Sequence, residues 1–113
     1  MTVMTTEELA KAWLAALEDV DAFLPLCAPE CKVWHSTDDT WVTVRDAIEA
    51  VRASGGLPPM RETSYTLMDG GFFVQFSATH QGAELHNCIL VRVRDGLAVS
   101  AEEYVGVEMD LQP

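Results

Sequence analysis

The second half of the chain contains the feature that most constrains its fold, a run of four segments in which apolar and polar residues alternate. The segments are residues 61–68, 72–80, 85–94 and 97–107, and glycine-containing turns separate them. Alternate side chains of a β-strand share one face, so the pattern predicts four strands that each bury one side. Short glycine turns join strands that run antiparallel. This half is therefore expected to form a curved antiparallel sheet with one apolar face.

The first half of the chain predicts three short helices and one strand. Thr5 and Glu8 form a capping-box pattern before an apolar stripe with helical spacing, and Asp21 is placed to cap a second helix. The predicted elements are helices at 6–18, before Pro29 and at 45–53, with a strand at 31–36 and a loop at 36–43. Because helices precede strands, we predict one α+β domain over residues 1–113, with the helices packed in the sheet around an apolar pocket.

The charge of the chain excludes some classes of partner. It carries 18 Asp and Glu against 7 Lys and Arg, a formal net charge of -11. Phosphate groups would be repelled, so neither nucleic acid nor an anionic membrane surface is an expected partner, and solubility explains the acidity most simply. The first residues do not resemble a signal peptide, and no apolar run is long enough to span a membrane. The predicted location is the cytoplasm.

Neither metal nor cofactor chemistry is predicted. Cys27, Cys31 and Cys88 lack the paired spacing of a disulfide framework or a zinc site, and we interpret them as buried, unreactive thiols in a reducing compartment. His80 and His86 are expected on opposite faces of their hairpin. The chain also has no glycine-rich phosphate loop and no serine-nucleophile motif.

The pairing register of the two hairpins decides which residues face inward. With a first turn at Gly82-Ala83, the predicted inward pairs are Phe76 with Ile89, Val74 with Val91 and Phe72 with Val93. A three-residue loop at 94–96 in the second hairpin would place Glu103 inward, opposite Asn87. A two-residue turn would instead bury Ser100 and Glu102, which argues against it.

Three polar side chains are expected at the far end of this apolar face. His35 lies two positions after the apolar Val33, so the two side chains share one face of the strand. If Val33 is buried, His35 should also point inward, beside Asn87 and Glu103. His35 is either a general base or acid in the pocket or a structural histidine bonded to Asp38, Asp39 or backbone. Glu103 either orients His35 or forms a structural pair with Asn87 or with a helix residue, because a buried carboxylate is costly without a partner or a use. Asn87 either binds a ligand carbonyl or only satisfies Glu103.

Several motifs along nearly the whole chain occur in an order shared with known proteins. They are the helix 12–17, the segment 23–35, which resembles "ALFADDAVWH", the segment 44–48, which resembles "GREAI", the strand turn 91–96 and the pair Glu103-Tyr104. Together they resemble the nuclear-transport-factor-like superfamily, which includes ketosteroid isomerases and SnoaL-like polyketide cyclases. The resemblance implies a cystatin-like cone of three N-terminal helices in a curved antiparallel sheet. It implies no single activity, because the fold hosts enzymes, binders and subunits.

The resemblance departs from ketosteroid isomerases at three positions that matter. Trp13 stands where those enzymes have a tyrosine, and His35 stands where they have the base aspartate. Ile89 lies close to the position of their protonated oxyanion-hole aspartate, and it cannot donate a hydrogen bond. The steroid-isomerase mechanism is therefore not implied, although the position of a base is.

The predicted function is a cofactor-independent acid–base enzyme that isomerises, cyclises or dehydrates a small apolar polyketide-, terpenoid- or steroid-like molecule. The predicted catalytic residues are His35 and Glu103, and the predicted substrate-binding residues are Trp13, Asn87, Tyr65, Phe76 and Ile89. The alternatives are a non-catalytic ligand-binding or accessory protein and an assembly subunit with a vestigial pocket. Relatives commonly dimerise through the outer sheet face, which here carries Phe73, Cys88 and Leu90, so a homodimer is predicted.

Overall fold

A computed structural model describes residues 3–111, and within them two α-helices and one 3₁₀ helix pack against a six-stranded sheet. The elements in chain order are α1 (Thr6–Ala16), the 3₁₀ helix (Val20–Leu26), β1 (Cys27–His35), β2 (Thr40–Thr43), α2 (Val44–Ala53), β3 (Arg61–Met68), β4 (Gly71–His80), β5 (Ala83–Arg94) and β6 (Leu97–Val107). The predicted α+β architecture of helices packed in a curved sheet is confirmed. No helix of this described part is long and apolar enough to cross a membrane.

Local capping signals position the two α-helices. The Thr5 hydroxyl accepts a hydrogen bond from the Glu8 backbone N–H at 3.1 Å, and the Glu8 carboxylate accepts one from the Thr5 N–H at 2.9 Å, so the predicted capping box is present. Thr43 caps α2 in the same way by accepting from the Asp46 N–H at 3.1 Å. After α2, Gly55 takes the left-handed conformation (φ 94°) that a helix end requires.

The segment between the two α-helices differs from its prediction in three ways. Asp21 does not cap the second helix; it lies inside the 3₁₀ helix, and its carboxylate pairs with Arg52 of α2. β1 begins at Cys27 rather than residue 31, because the residues before 31 already pair with the sheet. Residues 40–43, predicted as loop, form β2 and pair antiparallel with β1.

The sheet has the strand order β2-β1-β6-β5-β4-β3. Four of its neighbouring pairs are antiparallel, whereas β1 and β6 run parallel, so the sheet is mixed rather than wholly antiparallel. The parallel pair brings the end of β1 beside the middle of β6, with His35 opposite Glu103. Strands from the two halves of the chain therefore meet at the centre of the sheet.

The predicted register of the first hairpin is wrong by two residues. The turn lies at Gln81-Gly82, where both residues have positive φ (51° and 81°), as a two-residue hairpin turn of this type requires. The observed inward pairs are Phe72 with Val91, Val74 with Ile89, Phe76 with Asn87 and Ala78 with Leu85. A shift of two residues leaves every side chain on its predicted face and changes only its partner.

The predicted three-residue loop of the second hairpin is also wrong. Asp95 and Gly96 form a two-residue turn with φ of 54° and 77°, and Arg94 pairs with Leu97. Val99 is then an extra residue in β6, because Val93 pairs with Ala98 while Arg92 pairs with Ser100. This bulge restores the alternation that a two-residue turn would otherwise reverse. Glu103 consequently faces inward as predicted, but its partner on β5 is Ile89 rather than Asn87.

Candidate functional site

A cavity of about 100 Å³ lies between the helices and the inner face of the sheet. Apolar side chains form nearly all of its wall, and His35 and Glu103 are the ionisable groups on it. The lining residues are Trp13, Leu17, Val20, Phe23, Val33, His35, Val44, Ala47, Ile48, Val51, Leu57, Ile89, Ala101 and Glu103. A mostly apolar concavity with a few polar groups is the usual form of a small-molecule site.

Two neighbouring strands bring His35 and Glu103 together at the edge of this cavity. They are register partners in the parallel β1–β6 pair, and His35 Nε2 lies 3.6 Å from Glu103 Oε1. Their side chains are 29% and 22% exposed, so the pair is accessible from solvent while its carboxylate is largely buried. At 3.6 Å the two groups are in contact but do not form a short hydrogen bond. The inward orientation predicted for both residues is confirmed.

The acidic loop after β1 does not hold the His35 ring. Asp39 accepts a hydrogen bond from the Trp34 indole N–H at 2.8 Å, and Asp38 accepts one from the Thr40 backbone N–H at 3.1 Å. Trp34 has the opposite parity from His35 and packs against Tyr104 on the outer face, with ring centroids 5.2 Å apart. The carboxylates proposed as structural partners of His35 therefore have other donors.

Burial dominates the electrostatics of Glu103. Removal from water disfavours the ionised carboxylate and raises the pKa of Glu103, while the nearby His35 acts in the opposite direction with a smaller effect. Glu103 thus keeps its proton to a higher pH than a surface glutamate does. A protonated Glu103 can donate a hydrogen bond into the cavity, and an ionised Glu103 stabilises a positive imidazolium beside it.

Trp13 adds an unpaired hydrogen-bond donor to the cavity wall. The residue is 4% exposed, and its buried Nε1 has no acceptor among residues 3–111. Phe23 and Phe72 hold the indole edge-to-face at centroid distances of 4.8 and 6.0 Å. A buried donor without a partner is unfavourable by about 1–3 kcal/mol, so an acceptor on a bound molecule would be stabilised there.

The structure brings four of the predicted site residues together and separates three from them. Trp13, His35, Ile89 and Glu103 line the cavity, whereas Tyr65, Phe76 and Asn87 do not. The Tyr65 hydroxyl donates to Glu7 of α1 at 2.7 Å, and Phe76 is a core residue with 3% exposure. The two-residue register shift pairs Asn87 with Val105 instead of Glu103, and the buried Asn87 Oδ1 has no partner in the described part of the chain.

Sequence reasoning missed most of the apolar wall. The inner face of α2 contributes Val44, Ala47, Ile48 and Val51 to the cavity. Their spacing is helical, which is typical of a buried helix face. The sequence pattern does not show that this face borders a cavity rather than solid core, because that depends on how far α2 lies from the sheet. Within residues 3–111, no group of three or more His, Cys, Asp or Glu side chains is placed to hold a metal ion.

No protein-family model matches the chain, and no curated protein matches it either. Solved structures do resemble it. An NTF2-like protein of unknown function from Burkholderia xenovorans LB400 superposes with a TM-score of 0.75 at 14% identity, covering 95% of this chain and 90% of that one. A hypothetical protein with a ketosteroid isomerase-like fold from Catenulispora acidiphila DSM 44928, in complex with trimethylamine, gives 0.61 at 19% identity, covering 88% and 86%.

A third similar structure is IdmH from Streptomyces antibioticus, provisionally assigned as a polyketide cyclase. It superposes with a TM-score of 0.69 at 14% identity, and 93% of each chain is covered. The TM-scores establish a shared architecture, and sequence identities this low leave the reaction open.

Proposed function

We propose that this domain, which has the nuclear-transport-factor-like fold, is a cofactor-independent acid–base enzyme that acts on a small, largely apolar molecule. The observation that carries the proposal is the contact of His35 with Glu103, 3.6 Å apart, at the polar end of an otherwise apolar cavity. A histidine in contact with a largely buried carboxyl whose pKa is raised forms a pair that can act as general acid and base.

The chemistry that fits this pair is proton transfer at a weakly acidic carbon or a hydroxyl. In the proposed reaction a neutral His35 accepts a proton from the substrate at Nε2, and an ionised Glu103 stabilises the imidazolium that forms. The Trp13 N–H would donate to a substrate carbonyl or hydroxyl oxygen. Return of the proton to another atom gives an isomerisation, and loss of a protonated hydroxyl as water gives a dehydration.

The size of the cavity supports the smaller of the predicted substrates. An engineered protein cavity of about 150 Å³ holds one benzene molecule. The cavity here measures about 100 Å³, so a short branched chain fits within it and a single ring would extend into its mouth. A steroid or a multi-ring polyketide would need the mouth to open. Leu57, which is 38% exposed in the segment between α2 and β3, is placed to move for this purpose.

Ligand binding without catalysis is the second candidate, and the unpaired Trp13 donor favours it. That donor and the apolar wall would bind a small ketone or alcohol even if His35 transferred no proton. The open cavity does not favour an assembly subunit, since a vestigial pocket would be filled by side chains. Enzyme and binder are distinguished by incubating the protein with cyclohexanone in D₂O, because only a base catalyst exchanges the ketone's α-protons.

We expect Trp13→Phe to weaken the binding of cyclohexanone by about 2- to 10-fold, the effect of about 0.5–1.5 kcal/mol for one hydrogen bond. Methylenecyclohexane, which has the same shape and lacks the carbonyl oxygen, should bind equally well to both proteins. Ligand-observed NMR titration measures both affinities. An equal loss for both molecules would mean that Trp13 contributes shape alone, and the assigned role of its N–H would be wrong.

We also expect the protein to form a homodimer in solution through the outer face of the sheet. Phe73 and Leu90 are direct cross-strand neighbours, and Cys88 pairs with Tyr104, which is 45% exposed. A face this apolar favours burial against a second copy. Light scattering should give about twice the 12.4 kDa chain mass at micromolar concentration. Leu90→Glu should give the monomer, whereas Leu67→Glu, at an exposed apolar residue of the other face, should not.

A further inference from the structure

An unusual bulge in β1 brings two cysteines together. In the β1–β6 pair, Cys27 lies opposite Ala98 and Lys32 lies opposite Ser100. From Ala98 to Ser100, β6 advances by about 7 Å. The longer segment 27–32 of β1 covers the same distance. The intervening residues must therefore loop out of the strand. In a regular strand, residues four apart would be separated by about 13 Å, too far for their side chains to meet.

The thiols of Cys27 and Cys31 lie close enough in this bulge for each to shift the pKa of the other. Both line a surface groove between the 3₁₀ helix and the first turn of α2, together with Leu24, Thr43 and Arg45. Cys31 is 2% exposed, and Cys27 is partly exposed. The sulfur of Cys31 also lies 3.9 Å from the Lys32 carbonyl oxygen, a long and weak contact. Cys88 lies elsewhere, on the outer face of β5.

The environment makes the two sulfurs unequal. The neighbouring Cys27 thiol lowers the pKa of Cys31, whereas the Cys31 thiol and burial raise the pKa of Cys27. Arg45 lines the same groove. Glu30 disfavours the Cys31 thiolate, but its carboxylate accepts a hydrogen bond from Arg94 at 3.3 Å. A thiol whose pKa is lowered beside a second thiol is the arrangement found in dithiols that oxidise readily.

We propose that Cys27 and Cys31 form an oxidisable dithiol, which hydroperoxides convert to an intramolecular disulfide. The Cys31 thiolate attacks the outer peroxide oxygen, the O–O bond breaks, and an alcohol or water leaves with the thiol's proton. The Cys27 sulfur then attacks the resulting sulfenic acid, an S–S bond forms and water leaves. The peroxide is reduced by two electrons, and the two thiols are oxidised by two. The bulge brings the two α-carbons closer than a regular strand would, and a disulfide requires them to be about 4.4–6.8 Å apart.

The test is treatment of the full chain with hydrogen peroxide, followed by alkylation of the remaining thiols and digestion with trypsin. Cleavage after Lys11 and Lys32 places both cysteines in the peptide 12–32, and Cys88 lies in the peptide 62–92. We expect the peptide 12–32 to lose about 2 Da and to resist alkylation, while Cys88 stays fully alkylated. Dithiothreitol should reverse the change. Cys88→Ser should behave as wild type, and Cys27→Ser should abolish the mass loss.

The wild-type peptide map decides the question even if a substitution of the buried Cys31 impairs folding. Alkylation of both thiols in the peptide 12–32 after peroxide treatment would overturn the proposal. So would oxidation that stops at a sulfinic acid on Cys31, or a mass loss that persists in Cys27→Ser. A disulfide between chains through Cys88, with the peptide 12–32 unchanged, would also overturn it. This inference is independent of the proposed acid–base function, since neither cysteine lines the 100 Å³ cavity.

Discussion

His35→Gln should slow α-proton exchange of cyclohexanone by about 10²–10⁴-fold, because general-base catalysis supplies that much rate. The affinity for the ketone should change by no more than a few-fold, since the imidazole acts mainly in the transition state. Gln keeps a polar side chain of similar reach next to Glu103 and removes only the proton acceptor. The rate is measured as deuterium incorporation by NMR, and the affinity by titration of the same probe.

His80→Gln is the matched control for this experiment. His80 is an exposed histidine at the end of β4 and does not line the cavity, so its replacement should leave the exchange rate unchanged. If the wild-type protein binds cyclohexanone and does not exchange its protons, the binding-protein alternative becomes the better description. Equal rates for wild type and His35→Gln would remove His35 from the mechanism and direct attention to Glu103 as the base.

Glu103→Gln should make the protein about 1–2 kcal/mol more stable in mildly alkaline buffer, because it removes a largely buried charge. The folded-state pKa of Glu103 is raised above its ordinary value of 4.5. Between these two pKa values the folded state binds more protons than the unfolded state, so the stability that this group contributes falls as pH rises. That contribution is complete below about pH 4.5 and is lost as pH passes the folded-state pKa. The advantage of Gln should therefore grow with pH and then level off.

Urea unfolding of both proteins at several pH values between about 5 and 8 measures this difference. The control is Glu102→Gln, one residue away on the opposite face, where the carboxylate accepts a hydrogen bond from Tyr104 at 2.9 Å. Its stability relative to wild type should not vary across this pH range. A pH-dependent gain in Glu102→Gln and none in Glu103→Gln would contradict the inward placement of Glu103.

Features that depend on interactions between nearby residues were predicted more accurately from the sequence than features that depend on residues far apart in the chain. Capping residues act over three positions, so Thr5 and Glu8 marked a helix start that the structure confirms. Strand parity assigned Val74, Glu103 and His35 to the inner face, because burying the wrong face is costly. Burial does not distinguish between pairing registers that differ by two residues, since a shift of two keeps every apolar residue on the buried face. Asn87 was therefore assigned to the wrong partner while its face was right.

Long-range pairing was the least predictable part of the site. β2 has four residues at the edge of the sheet, and short edge strands carry little pattern of their own. The parallel contact between β1 and β6 joins residues far apart in sequence, and no local signal reports it. That contact creates the His35–Glu103 pair. Parity predicted that both residues face inward and lie near each other, and the topology determines that they are direct register partners.

The bulge at Val99 gives the chain an evolutionary freedom that a regular hairpin lacks. Glu102 and Glu103 are adjacent in sequence and face opposite sides of the sheet. In a hairpin without a bulge, loss of one residue would turn every later side chain of the strand to the other face. Loss of Val99 would instead leave a regular two-residue hairpin, in which Ser100 still pairs with Arg92 and Glu103 still pairs with Ile89. One codon could thereby be deleted from this strand while the same carboxylate continues to face His35.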